Sequence, residues 1–235
     1  MTRAAFDRDL TNLQNKLLSV GSAVEEDLER SVNALFTGNK AISQQVIDFD
    51  DWINNQRIEI VMECLTLIAT QQPAGSDMRT LAANIEIAGE LERIHDYVKG
   101  ISRISLMLGD EGFVMEPSEM AKLKQYLPQM ASITQGMLRD ALDAFTNHNA
   151  EAIKIIPPRD DEVDTLFKKA THVLAISVTN EISTYEQSNI LQWAVHNLER
   201  AADRVINICE WVLYMITGNY TEMDGEKGVT AVSSN

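Results

Sequence analysis

The phrase Leu-Glu-Arg-x-x-Asp occurs twice, as Leu91-Glu92-Arg93-Ile94-His95-Asp96 and as Leu198-Glu199-Arg200-Ala201-Ala202-Asp203, 107 residues apart. Identity continues in register at Val98/Val205 and Ile101/Ile208. In each copy Glu and Asp stand four apart, which on an α-helix sets both carboxylates on one face. Like charges at that spacing repel by a few tenths of a kcal/mol. A chain that carries this cost twice, at matched places, is arranged to hold something positive. Oxygen-bearing side chains in such pairs suit a hard or borderline divalent cation. The simpler alternative is a solvated acidic face on which Arg93 and Arg200 neutralise their neighbours.

These pairs can act together only if helices bring them level. Phe6, Leu10, Leu13, Leu17, Val20, Val24, Leu28, Val32 and Leu35 keep a three-four spacing, which predicts one long amphipathic helix ending near Gly38-Asn39. A second helix is expected to about Thr70. The turn Gln71-Gln72-Pro73-Ala74-Gly75-Ser76 leads into a third, which carries the first copy to about Leu108. After a linker from Gly109 to Ser118 the plan repeats. A fourth helix, with apolar positions from Met120 to Phe145, is expected to end near Asn147-His148-Asn149. A fifth is interrupted by Pro157-Pro158, which lack amide donors, and runs on from Asp160 to about Asn180. A sixth carries the second copy to Gly218. The fold class is therefore all-α: two tandem, pseudo-symmetric, antiparallel three-helix bundles over residues 1–109 and 110–218. Residues 219–235 are polar and read as a disordered tail.

Residues equally far from a helix–helix turn lie at the same level of an antiparallel pair. Counting through the turn at Pro73 sets Asp96 and Glu92 opposite Asp50 and Asn54. In the second half, Asp203 and Glu199 face Asp160 and Asp164 across a turn near Glu181/Ile182. Each bundle thus offers four oxygen-bearing side chains on neighbouring helices. The second set is fully acidic, so it is expected to bind a cation more tightly than the first, where Asn54 replaces one acid. Glu92-x-x-His95 has the spacing of a di-iron carboxylate bundle, but the second copy offers Ala202, which argues against an oxygen-activating centre. His148, His172 and His196 share no helical face and read as surface or filling residues.

Composition sets the outer limits. A formal net charge of −15 over 235 residues disfavours nucleic acid or an anionic membrane as direct partner and favours cations or basic protein surfaces. Neither a signal-peptide core nor a long apolar run is found, so a soluble cytoplasmic protein is expected. Two cysteines, Cys64 and Cys209, lie among apolar residues and read as buried free thiols. No phosphate-binding Gly-rich loop and no nucleophile–base order is present.

The doubled Leu-Glu-Arg-x-x-Asp, the turn Gln72-Pro73-Ala74-Gly75-Ser76-Asp77-Met78-Arg79 and the ending Asn207-Ile208-Cys209-Glu210-Trp211 resemble the PhoU family of phosphate-signalling proteins, from about Phe6 to Gly218. The resemblance implies metal-binding motifs at Glu92 and Asp96, Glu199 and Asp203, and Asp160 and Asp164, with Asp50 and Asn54 as the pair that has lost one acid. The family usually has Ile-Gly before the motif Asp; this chain has Ile94-His95 and Ala201-Ala202, so His95 either crowds the first site or adds a nitrogen ligand. Divalent or trivalent ions are implied, among them iron, zinc, manganese or magnesium. Also implied is a non-enzymatic, homodimeric regulator of phosphate homeostasis. Its partners would be the ATPase of a phosphate ABC transporter and a phosphate-sensing histidine kinase, with the membrane reached only through them. It would repress the phosphate-starvation response when phosphate is plentiful. Two other classes remain open: a metal-dependent carboxylate-bundle enzyme, and a metal-storage or structural helical protein.

Overall fold

Scarce Gly and Pro and sustained three-four apolar spacing produce long helices. The structure, a computed structural model, describes residues 3–108, 115–180, 182–223 and 230–231. The helices are α1 (Arg3–Thr37), α2 (Lys40–Gln71), α3 (Ser76–Met107), α4 (Pro117–Asn147), the single turn α5 (Ala150–Ile153), α6 (Pro157–Asn180) and α7 (Tyr185–Thr217). A 3-10 turn, Ile182–Thr184, precedes α7. The expected interruption at Pro157-Pro158 is the break between α5 and α6. Pro157 opens α6, where its missing N–H costs nothing.

The two halves turn their first corner with the same device. Gly38 (φ 66°) and His148 (φ 50°) take the left-handed conformation that ends α1 and α4. The next residue, Asn39 or Asn149, donates its N–H to the carbonyl of Ala34 (3.1 Å) or Ala144 (3.0 Å). Its side chain then accepts from the amide of Ile42 or Ala152 to cap the following helix. This corner fixes an equivalence of 110 residues for α1/α4 and α2/α6, beside the 107 of the α3/α7 phrase. The three-residue difference lies in the second connection of each half.

Helices α1, α2 and α3 pack as one bundle and α4, α6 and α7 as another; α3 lies along α7, and α1 along α4. The apolar core is continuous through both halves, from Leu13, Leu17 and Val24 through Leu91 and Ile94 to Leu198, Val205 and Ile208. Where α1 approaches α4, Gly21 faces the terminal methyl of Leu142, which would have to shift for a Cβ at that position. Cys64 and Cys209 are buried free thiols, as expected.

One stretch differs from the reading as a disordered tail. Glu210 of α7 is buried, and its carboxylate accepts from the Tyr220 hydroxyl (2.9 Å) and from the Met223 amide (2.7 Å). A buried carboxylate requires donors, and residues 219–223 supply them. Thr221 and Met223 are buried in consequence. Two strands follow, with β1 (Thr221–Glu222) pairing antiparallel with β2 (Thr230–Ala231). The rest of that expected tail, 224–229 and 232–235, lies outside the described residues, as does most of the expected 109–118 linker.

Candidate functional site

In the first bundle the hairpin register brings Asp50, Asn54 and Asp96 together around a cation of the chain's own. Lys99, one turn after Asp96 on α3, donates from Nζ to Asp50 Oδ2 and to Asp96 Oδ1, both at 2.6 Å. Asn54 Nδ2 donates to Asp50 Oδ2 as well (3.0 Å). The other Asp50 oxygen, Oδ1, lies 3.1 Å from His95 Nδ1, and His95 Nε2 lies 3.2 Å from Oδ2 of Asp27 on α1. His95 is fully buried and Asp27 is 2% exposed. His95 thus bridges the two carboxylates, with an acidic oxygen next to each ring nitrogen. Asp27 also accepts from Arg30 (2.8 Å). Burial pushes the Asp50 carboxyl up, but hydrogen bonds from Lys99 and His95 outweigh it and hold Asp50 below the ordinary carboxylate range. Glu92 sits higher than usual, through burial and then repulsion from Asp96, with Arg57 opposing.

The second bundle gathers its four acids without such a cation. Asp160 on α6 is pushed up to about 7, first by burial and then by the charges of Asp203 and Asp164. Glu199 on α7 is pushed up to about 7 by burial and by Asp203. Asp203 is raised by burial, against the pull of Arg200, from which it accepts at 2.9 Å. No hydrogen bond reaches the buried Oε2 of Glu199. His196, exposed as expected, stands 3.5 Å from that oxygen as a charge neighbour only. Among the described residues, no three His, Cys, Asp or Glu side chains already converge as a coordination sphere.

Tested against a metal ion, the two sets differ. The Asp50 oxygens are spoken for by three donors, and Asp96 shares the same ammonium, so the first set does not fit. The second set lacks such a bridging cation: its carboxyls repel one another, and one buried Glu199 oxygen receives no hydrogen bond. Arg200 and Arg204 offset only part of that repulsion, and a cation would relieve more of it.

Asp27, Lys99 and the bridging role of His95 are not apparent from the doubled phrase. Signals for them exist nonetheless. Asp27 interrupts the buried stripe of α1 between Val24 and Leu28, and Lys99 stands where the second copy has Ile206.

The description of the PhoU domain matches this chain twice, over residues 17–105 and 127–212. The chain belongs to the PhoU family. The two matched segments fall within α1–α3 and α4–α7, so the family's repeat coincides with the two bundles. The phosphate-specific transport system accessory protein PhoU homolog of Pseudomonas aeruginosa is 30% identical over 213 residues, covering 91% of this chain and 86% of that protein. The homolog of Clostridium acetobutylicum is 29% identical over 225 residues, covering 95% of this chain and all of that protein (100%). The crystal structure of PhoU from Pseudomonas aeruginosa matches with a TM-score of 0.83 at 30% identity, over 91% of this chain and 99% of that one. The phosphate transport system regulatory protein PhoU from Streptococcus pneumoniae gives 0.80 at 27% identity, over 92% and 98%.

Proposed function

We propose that this protein is an accessory regulator of phosphate uptake. In this reading it is a non-enzymatic, homodimeric, cytoplasmic adaptor between the ATPase of a phosphate ABC transporter and a phosphate-sensing histidine kinase. It holds the kinase in its repressing state while phosphate is plentiful. The observation that carries the reading is the end-to-end relation, over more than nine-tenths of this chain, to proteins named as phosphate-specific transport system accessory proteins. Supporting it, no described helix is long and apolar enough to cross a membrane, and the net charge of −15 suits docking on basic protein surfaces.

A metal ion belongs to the same reading. Asp160, Asp164, Glu199 and Asp203 would hold it, and its charge would relieve their mutual repulsion and tie α6 to α7. Support comes from the raised carboxyls and from the Glu199 oxygen that receives no hydrogen bond.

Deletion in the native host is the test of the regulatory role. Phosphate-starvation genes are expected to be expressed in abundant phosphate when the protein is missing, and to be repressed again on complementation. Unchanged expression of those genes would leave storage or a structural role as the better reading.

A further inference from the structure

The two acidic clusters share a helix register, but the side chains around them have been exchanged. Where the first bundle has Lys99, the second has buried Ile206, 107 residues on. In place of His95 stands Ala202, and in place of Asp27, by the α1/α4 equivalence, stands Met137; both are fully buried. An ionic trio in one bundle is thus an apolar trio in the other. Three of the four acids are kept, with Asn54 standing where the second bundle has Asp164, so the larger difference lies in how their charge is met.

We propose that the Lys99 ammonium is the built-in counter-ion of the first cluster, so that this chain takes metal in its second bundle only. The inference rests on the metal reading above. Lys99 Nζ sits between Asp50 and Asp96, at 2.6 Å from each, with its side chain 13% exposed. These are charge-assisted hydrogen bonds at their usual short length. A metal ion entering here would have to displace a tethered cation that is always present. The displaced ammonium would be left largely buried and unpaired, which is the costly way to break such a pair. Asp50 has little left to offer in any case, since His95, Lys99 and Asn54 all engage it. In the second bundle, Ile206 cannot play this part. Its nearest substitute, Arg200, reaches Asp203 alone among the four acids by hydrogen bond, and also bonds Tyr97 of α3. The paired clusters of the two repeats are therefore unequal here: the first is closed by the sequence and the second is left to the medium.

The test uses full-length protein stripped with chelator and reloaded with Mn2+ or Zn2+, with bound metal measured by elemental analysis and titration calorimetry. Asp203→Asn is expected to weaken binding by about tenfold or more, since affinity follows the charge count of the ligand set. Asp96→Asn should leave the stoichiometry and affinity of wild-type protein unchanged. In a second variant, Lys99→Gln with Asn54→Asp removes the internal cation and restores the fourth acid, and an additional equivalent of metal is expected to bind. Circular dichroism checks that each variant is folded. Loss of metal in Asp96→Asn equal to that in Asp203→Asn overturns the proposal while leaving the metal reading intact. Wild-type protein that takes up no metal in either titration overturns both.

Discussion

At the scale of single residues, the Asp27–His95–Asp50 chain shows how a buried charge is made tolerable. His95 is fully buried between two carboxylates, and removing one partner leaves a buried ring nitrogen without its contact. Asp27→Ala is accordingly expected to cost about 3 kcal/mol or more in urea unfolding. The second bundle suggests the repair. Met137 and Ala202 occupy the matching places as an apolar pair. Asp27→Met combined with His95→Ala should recover most of the loss, because an apolar pair of suitable volume replaces a buried ionic one at little or no cost. Asp50 keeps Lys99 and Asn54 on Oδ2 in that variant, but Oδ1 gives up its His95 contact, which keeps the recovery short of complete. Simple addition of the two single-mutant losses would show that the residues do not act as a unit.

At the scale of elements, the α6–α7 pair holds its carboxyls under repulsion, and that makes metal-free stability depend on pH in a stated direction. Asp160 and Glu199 are both raised to about 7, well above carboxyls of the unfolded chain near 4. The folded state therefore binds their protons more tightly. Their contribution to stability is complete below about pH 4 and is lost as pH rises through about 7. Asp50 is shifted the other way, and its contribution is lost only below the ordinary carboxylate range, outside this window. Metal-free protein is expected to melt several degrees lower at about pH 8 than at about pH 5, given roughly 2–4 °C per kcal/mol for a chain of this size. Glu199 is partly in solvent, so its share is reduced by screening. Asp160→Asn should flatten the profile, as should saturating metal; a wild-type Tm that is level or rising across the window would contradict the assignment. The register behind this pairing was legible from sequence, because a tight turn fixes which residues of a helix hairpin stand level. Asp50 and Asp96, level across the Pro73 turn by that count, are found sharing Lys99. The position of α1 was not legible in the same way: no hairpin count links Asp27 to His95, and only packing sets how α1 is rotated in the bundle. Nor does register say where a long, flexible lysine ends, since Lys99 reaches across to α2. Residues 219–223 depart from the expectation of a disordered tail for a related reason. Polar composition describes residues 219–223, but a buried acid at Glu210 decides where Tyr220 and Met223 go.

At the scale of the whole molecule, two repeats need not mean two independent domains. The core runs without interruption from one bundle to the other, through the faces where α3 meets α7 and α1 meets α4. Polar contacts cross the same seam. Glu90 on α3, 6% exposed, accepts from Asn207 (3.3 Å) and pairs with Arg204 (3.5 Å) on α7. Arg139 on α4 binds Glu25 on α1, at 3.1 Å through Nε and 3.0 Å through Nη2. Cutting the chain at the linker would expose this apolar seam on both pieces and strand Glu90 and its partners at once. Each piece would also bury a smaller fraction of its surface than the intact chain, and small domains are marginal for that reason. Full-length metal-free protein is therefore expected to unfold in a single calorimetric transition. The separate pieces 1–109 and 110–218 should be poorly folded or self-associating alone, and should recover helicity and a common melting transition when mixed. A piece that stays monomeric and melts cooperatively near the temperature of the intact chain would mean that the seam is a contact between finished domains. The bundles would then be free to respond to metal one at a time; if the single transition holds, a cation bound between α6 and α7 stabilises the first bundle as well.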